Sequence, residues 1–580
     1  MTNTTNEFES GLRAIGTVHP SAIHQRLSTF IASDRPALRR LWNYYANPMT
    51  VRRDLPGDST RPYRQGQEWG LPSRISGFIT GGDIDLAQPA GPARKEVVIE
   101  NEIAWRIDTM IDYLFGRNVI LHSAAPDPAR AAEIQPILDA ILTRAGGLRL
   151  LQQVALLGAV YGFVDLVITL DTQALSRLTG ADADANRGAS RPGRSNAAGA
   201  AASSPSLPKA TATPREEDPT EAKQAPGNGL AQDANGRANS ALAGRRFAPE
   251  DLASLLRIEV VDPSRAIAWT DPSDYRVTRL YGQLYTAERQ PAAHQGPAPM
   301  APATRLFSRL SRWFTTTAAS VPTIQVLELL SPTLWQRYED GVLVASGGNS
   351  LGRLPVVHIQ NTPLPFSYAG GSDVQPLIPL QDELNTRLSD RAYRVALQSM
   401  KMYLGKNITD FINQPVGPGR MWQSSDPDAQ IVEVGGDTNN PSELAHIQDI
   451  REGLDKISGV SPVAAGAVQG KIGHLTSAAA LRITLMSLLA RTDRKRAVYG
   501  AALQDICELA LAWLDTAGVF PTTPAERVIE INWPSPLPEN EMEKLDEAKA
   551  KLELGVAQST VLRELGYDIP VSSAPTGRDS

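Results

Sequence analysis

The chain has 580 residues, of which 42% are apolar, enough for several packed cores at roughly 150 residues per domain. Its net charge of −6 argues against a basic protein that coats a duplex from outside, though not against one that handles DNA without gripping it. The single cysteine, Cys507, excludes an internal disulfide and fits a reducing compartment. Its neighbours Leu503, Ile506, Leu509 and Ala510 recur at helical spacing, which predicts a buried packing thiol rather than a nucleophile.

The polar, acidic start Met1–Glu9 lacks the basic and apolar runs of a secretory signal, and no window holds about 18 uninterrupted apolar residues. A protein made and kept in the cytoplasm, or assembled there into something larger, is expected. Residues 21–46 read as helix, split by Pro36 with Ser33 or Asp34 capping the second half. Residues 49–95, rich in Gly, Pro and Arg, read mostly as loop. A helix is predicted over 97–115 with Gly116 as its terminating glycine, then a strand from Val119. A helical pair over 129–160 breaks at Gly146-Gly147, and Val164 to Leu170 reads as a strand.

From about 181 to 246 the sequence contains no Phe, Trp, Tyr, Ile or Val. Such a segment buries too little apolar surface to offset its ordering entropy, so a disordered insertion is predicted. A second weak segment, 288–304, leads into a basic amphipathic piece at 305–314, read as an ordinary surface helix. Strands are expected at Ile258–Val261, Arg276–Leu284, Thr323–Leu330, Thr333–Tyr338, Val342–Ala345 and Pro355–Ile359, with Asp340-Gly341 as a hairpin turn.

Beyond residue 373 helices dominate. Ser372 and Gln375 resemble a capping box, and Leu377, Leu380, Leu384, Leu388, Ala392 and Val395 mark one face through Met402. Leu380 to Met402 spans about 33 Å of helix at roughly 1.5 Å per residue. Residues 404–440 form a compact loop-and-strand module around Ile431–Val434. Asn440-Pro441-Ser442-Glu443 opens a second helix with Leu444, Ile447, the Arg451 stem, Leu454 and Ile457 on one face. A Gly/Ala loop, 459–475, precedes a long helix to Leu514 carrying a charged belt, with a possible bend at Gly500. A Pro-rich break at 521–538, a charged helix at 539–554 and a short helix from Gln558 to Tyr567 follow.

Catalytic signatures are wanting. Gly466 to Ile472 is the nearest approach to a phosphate loop, but it is one residue short and Ile472 cannot ligand magnesium. The seven histidines are scattered, and His19 and His24 read as solvated. The acidic pairs Asp382-Glu383 and Asp426/Asp428 read as solvated faces and turn formers, and no nucleophile elbow occurs. Arg420 and Trp422 in the small module suit a protein contact, since Trp and Arg favour interface centres; a Trp packing the module's own core is the alternative.

The order of a helix out to a small module, a helix back, a glycine-rich loop and a very long helix resembles the portal proteins of tailed phages. Supporting stretches are Val97–Ala104 to Tyr113–Val119, Leu354–Asn361, Gly371-Ser372-Asp373-Val374 with Leu377, Leu380 and Asn385, Ile457–Pro462, and Thr476–Leu481. The resemblance implies an α+β portal fold: a β-rich wing on helices (1–372), stem helices (373–402 and 441–458), a small α/β clip (403–440), a tunnel loop (459–475), a long helix joining wing and crown (476–515), and a mainly helical crown and tail (516–580). It implies no catalysis, metal or cofactor, and a ring usually of twelve copies at one capsid vertex of the virion, assembled in the host cytoplasm. Its expected partners are double-stranded DNA, terminase, a head–tail adaptor, and the major capsid and scaffolding proteins, with no membrane. Gln469, Lys471 and His474 become candidate channel residues, and Arg420 and Trp422 a clip interface. A DNA conduit must not hold DNA tightly, because each strong phosphate contact is an energy well for translocation; the net negative charge meets that need. The alternative is an ATPase or nuclease subunit of the packaging machinery, against which the absent phosphate loop and metal cluster count. A secretion-channel subunit is a third, weaker reading.

Overall fold

The computed structural model describes residues 10–51, 63–72, 97–179, 246–288, 323–399, 402–407, 427–434, 441–466, 482–537 and 541–564. The insertion expected up to 246 therefore lies outside the described residues apart from Arg246, as does the basic piece at 305–314.

After a helical stretch at residues 10–15, α1 (Pro20–Thr29) and α2 (Arg35–Ala46) are joined through a π-helical turn at Phe30–Asp34. The expected split at Pro36 does not occur. Asp34 stays in helical conformation and pairs with Arg26 instead of capping, and the wider turn accommodates the proline's missing N–H. His19 is exposed, as expected, and also caps α1 by accepting from Ser21 N–H.

Two short strands, β1 (Met49–Val51) and β2 (Tyr63–Gln65), pair antiparallel before a capped 3-10 turn at Gly66–Gly70. Helix α3 (Glu102–Phe115) is capped by Asn101, whose side chain accepts from Ala104 N–H. Gly116 ends it without the left-handed conformation expected of a terminating glycine (φ −76°). Strand β3 (Ile120–Ser123) leads to α4 (Pro128–Ala145) and α5 (Leu148–Tyr161), separated at Gly146 and Gly147, both at positive φ.

Strand β4 (Phe163–Leu170), with six consecutive buried residues, is central to a three-stranded antiparallel sheet. Next come α6 (Thr172–Thr179), α7 (Pro249–Ser254) and β5 (Leu256–Val261), which pairs with β4. A five-stranded antiparallel meander follows: β6 (Ala266–Thr270), β7 (Thr278–Glu288), β8 (Thr323–Leu330), β9 (Leu334–Glu339) and β10 (Val342–Gly348). Asp340 (φ 48°) and Gly341 (φ 83°) make the tight β9–β10 turn, as their dipeptide predicts. Strand β11 (Val356–Gln360) returns to the other edge of β4.

Helices α8 (Ile378–Ser399) and α9 (Pro441–Ser458) pack as a pair. Between them β12 (Met402–Lys406) and β13 (Gln430–Val434) form an antiparallel ladder. The helix expected to reach Met402 thus stops at Ser399, because Met402 opens a strand that the short alternating run concealed. Helix α10 (Met486–Thr516) passes through Gly500 without a break. Strand β14 (Ile529–Asn532), inside the Pro-rich break, pairs with β3, and α11 (Glu541–Glu553) and α12 (Gln558–Glu564) close the described chain.

The largest core joins α3, α5, β4, β11 and the apolar length of α10 with α8 and α9. A second core packs α1 residues Ile23 and the adjoining Phe30 onto Ile267, Trp269 and Leu284 of the five-stranded sheet. Cys507 is buried with Leu511, Ile134 and Leu138, and burial pushes its thiol up to about 12, as its apolar neighbours predict. Helix α10 is long and apolar enough to cross a membrane, but 67% of that window is buried in the fold, so it is a core helix.

Candidate functional site

Several stretches that carry the sequence resemblance converge where the α8–α9 pair meets the rest of the fold, while Thr476–Leu481 lies outside the described residues. Asn361, just past β11, is buried; its Nδ2 donates to Gly371 O and Asp373 Oδ2, both at 3.0 Å. Lys495 of α10 donates to Asp373 at 2.7 Å and also to Asn361 Oδ1, which accepts the Tyr499 hydroxyl at 3.1 Å. Lys495 is only 5% exposed. Lys495 belongs to the charged belt of the long helix, and the local pattern does not reveal Asp373, over a hundred residues away. Burial raises the Tyr499 phenol well above its ordinary range, with the Asp373 charge adding to it. Gly158 permits this approach, since a Cβ there would stand 2.1 Å from Tyr499 Oη.

Ser372 completes the junction. Its hydroxyl donates to Val160 O and accepts from the N–H groups of Val374 and Gln375, so it caps the turn leading into α8. The first turn, Gln375–Leu377, is 3-10 with Pro376 inside it.

The expected leucine face packs on the core through Leu377, Leu380, Leu384 and Leu388, and beside it runs a polar stripe that is equally buried. Gln381, Asn385 and Ser389 are essentially inaccessible, whereas Val395 is exposed. These three side chains bond the backbone of residues 98–102, which leads into the first turn of α3. Val98 N–H donates to Ser389 Oγ (3.0 Å), Glu100 N–H to Asn385 Oδ1 (3.2 Å) and Glu102 N–H to Gln381 Oε1 (3.1 Å), while Gln381 Nε2 donates to Glu100 O (2.6 Å). Asn385 Nδ2 donates to Gln67 Oε1 (2.9 Å), and Gln67 Nε2 reaches Tyr44 O (2.7 Å). Asn385, one of the resemblance residues, therefore lies at the centre of a buried network. The Asp382-Glu383 pair, expected to be solvated, is engaged: Asp382 accepts from Tyr44 Oη at 2.6 Å, and Glu383 bonds Arg387 and His446.

Helix α9 is tied to α3 by charge. Arg106, 2% exposed, bonds Glu102 and Asp455, and Arg451 pairs with Glu100 at 2.7 Å. Burial works against the Glu102 carboxylate, but bonds from Trp105 and Arg106 outweigh it and hold its pKa below the ordinary range. Burial raises the Asp455 pKa despite Arg106. After α9, Gly459 takes φ +71° beside Arg491 and Ser487, and Val460 packs on Met110 and Leu488. Of the expected α9 face, Ile447 and Leu454 are buried and Leu444 and Ile457 are exposed.

A separate cluster surrounds Asp165 on β4. It accepts from Tyr281 and Tyr368 and faces His358 Nδ1 at 2.6 Å; His358 Nε2 lies 2.9 Å from Tyr368 O. Both imidazole nitrogens are engaged by the fold, so this His–Asp pair has no ring nitrogen free to act as a base. No cluster of three metal-ligating side chains occurs among the described residues. The sequence candidates Gln469, Lys471 and His474, together with Arg420 and Trp422, lie outside the described residues. What the structure does describe is the root on either side of residues 467–481: Gly459–Gly466 against α3, and Arg482 onward into α10.

Residues 335–566 match the family model described as phage portal protein, SPP1 Gp6-like. That stretch runs from β9 through the α8–α9 pair and α10 to α12. No curated protein matches the sequence. A chain from the solved structure "Virion of native gene transfer agent (GTA) particle" aligns at a TM-score of 0.35 and 11% identity, covering 85% of this chain and 99% of that one. Over residues 335–566, then, the chain is similar to the phage portal proteins, and its fold is the mixed α+β that the order of motifs implies.

Proposed function

We propose that the chain is a portal subunit: copies of it close into a ring, twelve in the family's usual form, at one vertex of a virion. DNA passes through that ring during packaging and ejection, and terminase, a head–tail adaptor and the capsid and scaffolding proteins dock on it. The carrying observation is the portal-family match over 335–566, which contains the helix pair, the following glycine-rich loop and the long helix in one run. On this reading residues 1–372 are wing, α8 and α9 stem, 403–440 clip with Arg420 and Trp422 at its docking face, and 516–580 crown. Residues 459–475 form the tunnel loop, whose Gln469, Lys471 and His474 meet DNA weakly. The subunit has no ATPase activity of its own. Native mass spectrometry of the purified chain, with an ATP-turnover assay, tests this. A large closed homo-oligomer without turnover is expected; a monomer at capsid-assembly concentrations, or turnover, overturns it.

A further inference from the structure

The seam between α8 and residues 98–102 has an unusual geometry. Gln381, Asn385 and Ser389 recur every four residues, so successive side chains advance about 6 Å along the helix. Their partners Glu102, Glu100 and Val98 recur every two residues of the segment that enters α3, where Asn101 (φ −78°, ψ 83°) makes a tight turn closed by the Glu102 N–H to Glu100 O bond at 3.0 Å. Each turn of α8 therefore makes one bond group, with the helix and the facing segment running antiparallel. A slip of one residue would rotate α8 by about 100° and break every bond in the seam. Apolar helix packing sets no such register, because its crossing angles scatter by about 15–20°. Hydrogen bonds are directional, and buried ones are costly to leave unmade.

Closing a ring requires one fixed rotation between neighbours, and near twelve subunits one extra copy changes that rotation by only about 2°. Resting on the ring reading above, we propose that the Gln381–Asn385–Ser389 seam is the positioning device that fixes the number of subunits. It holds the α8–α9 pair at one angle to the body of each subunit. The polar stripe thus specifies one arrangement where leucines would permit several.

The test is native mass spectrometry of full-length rings, in which mass reads out subunit number. The parent chain gives a single ring order. Asn385→Leu, which removes the central partner of Glu100 and Gln67, gives rings of two or more orders. Ser389→Ala trims only the outermost bond and supplies the same readout if Asn385→Leu does not fold. Leu384→Ala, on the same helix but in the apolar core, lowers the melting temperature and keeps the single order. A single unchanged order in the seam variants that fold overturns the proposal. So does a mixture from the parent chain, or equal scrambling by Leu384→Ala. A parent chain that forms no ring at all fails the portal reading instead.

Discussion

Lys495 shows how a residue's role depends on a partner remote in sequence. It is a buried cation held by Asp373 and Asn361, and removing one member of such a pair strands the other. Lys495→Met is expected to destabilise the fold by about 3–5 kcal/mol, with Lys495→Met/Asp373→Asn recovering much of the loss, read from urea unfolding midpoints. Equal midpoints for parent and single variant would contradict the buried pairing. Cys507 offers a simpler check: its thiol, buried and pushed up to about 12, is expected to resist alkylation at pH 8 in the folded protein and to react once the chain unfolds. Cys507 was legible from its apolar neighbours. Lys495 and Asp382 were not, because a charged side chain on a helix reads as solvated until its partner is known.

Among the elements, those that bury a continuous apolar run or end at a turn dipeptide could be read directly: β4, the β9–β10 hairpin, and the α4–α5 break at two glycines. Elements whose order comes from pairing could not. Strand β12 takes over from α8 only because β13 supplies its ladder, and β14 is paired by β3 some four hundred residues earlier. The polar stripe of α8 escaped for the same reason, since its partner is backbone, which leaves no side-chain signature. The 181–246 segment presents the opposite case, with a composition that supplies almost nothing to bury. Replacing it with a short Gly/Ser joiner is expected to leave the melting temperature and oligomer size nearly unchanged, because closure cost varies slowly with loop length. Loss of soluble protein on deletion would show that it contributes to the fold.

In the whole molecule, polar bonds tie the helix pair, which lies within the family match over 335–566, to the chain's N-terminal half. Channel function makes its own demand at Lys471. On the proposed reading, in which residues 459–475 line the channel, Lys471→Glu sets like charge against phosphate, so slower or shorter DNA packaging is expected with ring assembly intact. Added salt should partly relieve the defect through screening. Full packaging by that variant would remove the case for this lysine and leave the conduit standing. The most direct measurement is electron cryomicroscopy of the purified full-length protein. A closed ring is expected, with α8 and α9 around a central channel and residues 459–475 at its constriction. A monomer, or a ring that carries that loop on its outer surface, would contradict the portal account.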